Sequence, residues 1–264
     1  MTRLLIVLSM LLMSTACTLA RTSTAVAGRG HFEARELPFE GRLFRYQVFV
    51  PARRDPSGTP VVLFLHGSGE RGDDGRRQLL AGLGPWLEKN ADSFPALVVL
   101  PQVPQDEEWL GRNARMALAA LDAASTEFHA DPQRIYLTGM SMGGYGTWEL
   151  ALMQPQRFAA LVPVCAAITA PRIGRTTLRV DQVADETDPY TAVATRLRGV
   201  PVWMFHGADD TVVPPTDARL IAQAAQRVGA DLRYTELPGV GHNAWDPTYR
   251  DPAMWAWLFQ QRRP

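Results

Sequence analysis

The chemistry of this chain is concentrated in a serine, a pair of aspartates and a histidine that occur in that order. Ile135–Thr138 is a short β-branched and aromatic run, and Gly139-Met140-Ser141-Met142-Gly143 follows it with the spacing G-x-S-x-G. A strand ending on that pentapeptide can turn sharply into a helix with the serine at the apex, because the glycines carry no Cβ where the backbones cross. A hydroxyl held clear of its own backbone suits nucleophilic attack, and the dipole of a helix starting near Gly144 favours negative charge beside it. Serine is a weak nucleophile at neutral pH, so it needs a base within hydrogen-bond reach and an acid that orients the base. Of the five histidines, only His242, in Gly239-Val240-Gly241-His242-Asn243, lies after every suitable acid, as the order Ser, Asp, His demands. For the acid, His206-Gly207-Ala208-Asp209-Asp210 offers two aspartates that position alone does not separate. His206 closes an apolar run and suits a brace for this loop better than a base.

Acyl transfer also needs donors for the developing oxyanion. The backbone N–H of Met142, next to the nucleophile, is one; the backbone N–H of Ser68, in the glycine-rich loop His66-Gly67-Ser68-Gly69, is the other. The charged continuation Glu70-Arg71-Gly72-Asp73-Asp74 reads either as an internally ion-paired loop or as solvated surface. Trp109, Trp148 and Trp245 fall near these motifs and are expected to line an aromatic-accepting substrate pocket. Neither H-E-x-x-H nor paired cysteines occur, so no metal site and no cofactor are expected.

These residues need elements that bring them together. Phe44, Tyr46, Val48 and Val50 alternate along a strand that should pair antiparallel with the Phe32–Leu37 region. Val61–Leu65 is a continuous apolar run of the kind buried on both faces of a parallel sheet. Similar runs recur at 96–100, 135–138, 161–164 and 200–205, and a last strand is expected at 232–237. Helix-like stretches at 76–89, 113–128, 144–153 and 218–228 separate them. Strands alternating with helices imply right-handed crossovers and a mostly parallel central sheet with helices on both faces. Ligands sit at the carboxyl ends of such strands, which is where the serine, the aspartates and the H-G-x-G loop fall. Residues 166–199 interrupt the alternation with charge, proline and threonine, and are expected to form a small cap or a solvated excursion.

The chain has 264 residues, of which 46% are hydrophobic, enough for one large core rather than two. With 27 basic and 27 acidic residues it carries no overall charge to attract nucleic acid or an anionic membrane. Arg3 followed by the apolar run Leu4–Met13 and then small residues has the layout of a secretory leader covering residues 1–27, ahead of a single domain from 28 to 264. Two exits are open: cleavage near Ala25-Val26-Ala27, or lipid attachment at Cys17, where Ser14 departs from the leucine usual in a lipobox. Lipidation would make Cys17 the only contact with a membrane, in an exported, periplasmic or secreted protein. Cys165, after Leu161–Val164, is expected as a small core residue.

FLHGSGERGDD, LPQVPQDEEW, GMSMGGYGTW, FHGADDTVVP and GVGHNAW together resemble the secreted α/β-hydrolases of the dienelactone-hydrolase and feruloyl-esterase-like group, also described as predicted peptidases of prolyl-oligopeptidase type. The resemblance covers nearly all of the chain after residue 40. It implies an α/β-hydrolase fold, a metal-free carboxylesterase activity on short acyl, aryl or feruloyl-type esters of small or carbohydrate-linked substrates, and a triad of Ser141, Asp210 and His242, since the acid of H-G-x-x-D-x-x-V-P falls on Asp210. Two features depart from the group: a dienelactone hydrolase proper has cysteine at the position of Ser141, and residues 166–199 are longer than usual. The alternatives are a peptidase, an acyltransferase and a binding lipoprotein without activity. After its leader the chain has length for the hydrolase core and a short cap, which favours esters over peptides.

Overall fold

The computed structural model describes residues 28–171 and 175–263. The leader with Cys17, residues 172–174 and Pro264 lie outside the described residues. Eight strands form one sheet: β1 (His31–Phe39), β2 (Arg42–Val50), β3 (Thr59–Leu65), β4 (Leu97–Pro101), β5 (Ala130–Met140), β6 (Ala160–Val164), β7 (Val202–Gly207) and β8 (Leu232–Leu237), in the order β1-β2-β4-β3-β5-β6-β7-β8. β1 and β2 pair antiparallel as expected, with His31 opposite Val50 and Phe39 opposite Arg42, and β2 meets β4 antiparallel. All pairings from β4 through β3 to β8 are parallel.

The helices are α1 (Leu83–Lys89), α2 (Gly111–Phe128), α3 (Met142–Met153), α4 (Pro189–Arg196), α5 (Thr216–Val228), α6 (Trp245–Arg250) and α7 (Pro252–Gln260). Successive side chains of a strand point to opposite faces, so the apolar run of β3 feeds two cores. Val61, Leu63 and Leu65 pack with residues of α2, α3 and α5, whereas Val62 and Phe64 pack with residues of α1, α6 and α7. This is the α/β-hydrolase fold. α3 is buried at every position from Met142 to Leu152, the pattern of a helix apolar all round and enclosed by the protein.

Three details differ from the sequence expectation. The single helix expected over 76–89 is broken into a 3₁₀ turn at Arg77–Leu79 and α1, because Gly82 adopts a φ of 63° and a Cβ on Gly84 would lie 2.3 Å from the Leu79 carbonyl oxygen. α3 starts two residues before Gly144, since the Ser141 carbonyl already accepts the N–H groups of Gly144 (2.7 Å) and Tyr145 (3.2 Å). α6 and α7 follow His242 where no helix was expected. The second carries a legible start: Asp251 accepts the Ala253 N–H at 2.8 Å and Pro252 opens the first turn.

The described part of 166–199 holds a 3₁₀ turn at Asp181–Val183 and α4, and it is pinned to the body at several points. Asp217 of α5 accepts the N–H groups of Ile168 (3.0 Å) and Thr169 (2.9 Å) and the hydroxyl groups of Thr169 (2.8 Å) and Tyr190 (3.1 Å). Glu149 of α3, pushed up by burial, accepts the Gln182 N–H at 3.2 Å. Arg196 donates to the Leu152 carbonyl at 3.1 Å. Together these bonds hold the excursion against α3 and α5.

Candidate active site

The turn between β5 and α3 puts Ser141 at φ 53° and ψ −121°. Such a conformation is costly for a residue with a Cβ and persists only where the surroundings over-determine it. Here a Cβ on Gly139 would lie 2.2 Å from the Gly143 carbonyl oxygen, and one on Gly143 would lie 1.9 Å from that of Leu65. Both glycines of G-x-S-x-G are therefore demanded by backbone crossings. The Ser141 N–H is tied to the Val164 carbonyl at 3.0 Å, anchoring the turn to the end of β6.

Ser141, His242 and Asp210 come together in one hydrogen-bonded run. His242 Nε2 lies 2.9 Å from Ser141 Oγ, and His242 Nδ1 lies 2.7 Å from Asp210 Oδ2. The Asp210 side chain is fully buried and that of His242 is 19% exposed. Burial alone would raise the Asp210 carboxyl, but hydrogen bonds from His206, His242 and the Val213 N–H outweigh it and hold the group well below the usual carboxylate range. Its second oxygen accepts the N–H groups of Val212 and Val213, each at 2.9 Å. An ionised Asp210 requires the proton on His242 Nδ1, which leaves Nε2 free to accept from the Ser141 hydroxyl. Asp209 is exposed, and its backbone N–H bonds to the Val240 carbonyl at 2.9 Å, so it knits the acid loop to the histidine loop. His206 is fully buried, with Nε2 2.7 Å from the Val213 carbonyl oxygen and 3.3 Å from Asp210 Oδ2. It braces the acid loop, in keeping with the sequence reading.

On the other side of Ser141, the loop after β3 is held by His66. Val103 N–H donates to His66 Nε2 at 3.0 Å, so Nδ1 carries the hydrogen given to the Gly67 carbonyl at 2.6 Å. Burial pushes this imidazole down to about 4. The Met142 N–H opens α3, where no intrahelical acceptor exists for it, and the Ser68 N–H opens a 3₁₀ turn at Ser68–Glu70. No Glu70–Arg71 ion pair occurs among the described residues. Arg71 instead donates to the Ser68 carbonyl at 3.0 Å, and Asp74 caps the N–H groups of Arg76 (2.8 Å) and Arg77 (3.0 Å).

The three tryptophans separate. Trp109 is 1% exposed and Trp148 is 0% exposed, so neither offers surface to a ligand, and the expectation that they line a pocket is corrected. Trp109 gives its indole N–H to the His66 carbonyl at 3.0 Å and packs edge-on against the His66 ring, which makes it a support for the glycine-rich loop. Trp148 lies inside the wholly buried α3. Of the three, Trp245 alone stands beside His242, its ring edge-on to the imidazole at 5.5 Å between centroids and lining a cavity of about 360 Å³ with Asn243, Leu80 and Trp86. A second cavity, of about 560 Å³, is lined by Tyr145, Thr169, Tyr190, Val213 and Asp217. Cys165 is buried one residue beyond β6, its thiol pushed up by burial. Arg175 also reaches this region and had no sequence signal. Its guanidinium donates to Ser68 Oγ and to Glu108 Oε1, and lies 3.6 Å from Met142 Sδ.

Residues 106–261 match the model of the prolyl oligopeptidase family. The chain belongs to that family. The matched stretch of this prolyl oligopeptidase family member contains Ser141, Asp210 and His242, whereas the His66–Gly69 loop precedes it. A protein of Oryza sativa subsp. japonica described as a probable carboxylesterase is 25% identical over 220 residues, covering 74% of this chain and 86% of the relative. Acyl-protein thioesterase 1 of Gibberella zeae is 29% identical over 113 residues, 43% of each chain. The crystal structure of a thermostable esterase superposes with a TM-score of 0.71 at 28% identity, covering 88% of this chain and 63% of the esterase. The chain thus spans less than half of the thioesterase and under two thirds of the esterase.

Proposed function

We propose that this chain is a serine hydrolase that cleaves carboxylic esters of small or carbohydrate-linked substrates through an acyl-enzyme on Ser141, with His242 as base and Asp210 as its orienting acid. The observation that carries the reading is the unbroken run from Asp210 Oδ2 through both His242 nitrogens to Ser141 Oγ, at 2.7 and 2.9 Å. In the first step His242 Nε2 takes the hydroxyl proton while Oγ attacks the ester carbonyl carbon, and the carbonyl oxygen becomes an oxyanion between the N–H groups of Met142 and Ser68. Collapse breaks the bond to the alcohol oxygen, which takes the proton from His242. A water molecule then repeats the sequence and frees the acid. The cavity beside Tyr145 and Val213 suits the acyl part, and Trp245 an aryl or alkoxy leaving group. A fluorophosphonate should label Ser141 in the wild type and leave Ser141→Ala unlabelled. Equal labelling of both would remove the reading.

The family match favours a second reading, peptide hydrolysis. An amide demands that His242 protonate a poor amine leaving group in step with C–N cleavage, which needs tight positioning on both sides of the bond. The carboxylesterase and thioesterase relatives support the ester reading. kcat/KM for phenyl or feruloyl esters should exceed that for matched peptide anilides by at least ~100-fold, about 2.7 kcal/mol. Comparable values would make the peptidase reading the better one. We also propose export through the leader. If Cys17 carries lipid, Cys17→Ser moves the protein from the membrane fraction to the soluble one, and an unchanged distribution leaves plain secretion.

A further inference from the structure

Arg175 ties the 166–199 excursion to the groups around the oxyanion position. One guanidinium nitrogen donates to the Ser68 hydroxyl, and the other donates to Glu108 and rests 3.6 Å from the Met142 sulfur. Ser68 and Met142 are the two residues whose backbone N–H groups face the developing oxyanion in the reading above, and no other side chain is bonded to both among the described residues. The three partners come from the loop after β3, the loop after β4 and the first turn of α3, so the fork spans three segments. A planar guanidinium can hold such a geometry, because its donors are fixed relative to one another. We infer that Arg175 is a positioning residue that sets the spacing of the Ser68 and Met142 N–H groups and thereby makes the excursion part of the machinery that stabilises the transition state. The inference rests on the esterase reading.

Two features favour position over charge as its means. Glu108 is nine-tenths buried and pairs with the guanidinium, so most of the positive field is cancelled before it reaches the reacting carbonyl. The Ser68 hydroxyl belongs to the same residue as the donor, so a pull on it moves the backbone of a three-residue 3₁₀ turn directly. Misplacement of a donor by about an ångström costs on the order of a hundredfold in rate. The effect should appear in turnover and in the binding of tetrahedral mimics, because the ground-state ester gains little from the oxyanion donors.

The test uses the full chain with phenyl acetate as substrate and phenylboronic acid as a mimic that bonds to Ser141 Oγ. Arg175→Met, which keeps the apolar stem, should lower kcat about ten- to a hundredfold with KM changed less than about threefold, and weaken phenylboronic acid by a similar factor. Arg175→Lys should recover part of both. Losses from Ser68→Ala and Arg175→Met should fail to multiply in the double variant, because one acts through the other. If Arg175→Met folds poorly because it strands the Glu108 carboxylate, Glu108→Gln with Arg175→Met removes the stranded charge and is measured in its place. Wild-type kcat in the folded variant, a loss confined to KM, or unchanged affinity for phenylboronic acid each overturns the inference. Turnover by Ser141→Ala would instead overturn the esterase reading on which it stands.

Discussion

His66 and His242 each follow a strand and stand on opposite sides of Ser141, yet their surroundings differ in kind. Both nitrogens of His66 meet backbone groups, the Gly67 carbonyl and the Val103 N–H, and the ring is fully buried. Both nitrogens of His242 meet side chains, Asp210 and Ser141, and the ring is partly open to solvent. A backbone N–H cannot take back a proton, so the first environment fixes one tautomer for good. A hydroxyl and a carboxylate can exchange and compensate charge, so the second lets a proton move. Hydrogen bonding through both ring nitrogens is common to the two; what fits one to the proposed chemistry and the other to support is whether the partners can change protonation state.

The largest test of this contrast is Ser141→Ala, which removes the partner of His242 that gives up a proton in the proposed reaction. Turnover of phenyl acetate should fall on the order of a millionfold while thermal unfolding stays near that of the wild type. Ordinary rates in that variant would end the contrast. Asp210→Asn should cost on the order of ten-thousandfold by presenting the wrong tautomer of His242. Asp209→Asn, on an exposed side chain, should cost little; the reverse ranking would move the acid role to Asp209.

The supporting side should answer to stability rather than rate. The native state keeps His66 neutral down to about 4, whereas an unfolded chain binds that proton near pH 6.5. Between these values the unfolded state holds more protons, so the contribution is complete above pH 6.5 and is lost as the pH falls toward 4, on the order of 3 kcal/mol in all. Denaturant unfolding across that range should show the slope in the wild type and a flatter one in His66→Gln, whose amide oxygen can stand in for Nε2 as acceptor of the Val103 N–H and does not titrate. Equal slopes would mean that the histidine proton is not what the acid transition reports. The smallest effect is expected from Trp109→Phe, which leaves the His66 carbonyl without its indole donor. About 1–2 kcal/mol of stability should be lost, with kcat/KM changed only a few-fold.

How much was legible in the sequence follows the range of the interactions. The runs at 61–65 and 161–164 announced strands because continuous burial leaves an uninterrupted apolar trace. G-x-S-x-G announced the turn because its steric demand is met within a few residues. The aspartate that pairs with His242 needed the family resemblance, since Asp209 and Asp210 differ only in which way the loop turns them. The tryptophans misled because an aromatic residue beside a motif can as well prop it from behind, as Trp109 does. Arg175 was invisible: its partner Ser68 is 107 positions away, and a lone arginine in a polar stretch carries no local pattern. The break in the helix expected over 76–89 was missed because Gly82 and Gly84 are tolerated within a helical periodicity until a neighbouring carbonyl excludes them.

Main chains cross closely at Gly207. A Cβ at this position would lie 2.2 Å from the Gly241 carbonyl oxygen and 2.4 Å from that of Val240, and the Ala208 N–H bonds to the Leu237 carbonyl at 3.0 Å. The separation of Asp210 from His242 is thus dictated by main-chain contact and not by the residues around the rim. The loops that carry Glu108 and Arg175 act on the oxyanion side instead, and leave this main-chain crossing untouched. A side chain at Gly207 would therefore disturb the Asp210–His242 pairing through the backbone alone, with no residue of the pair changed.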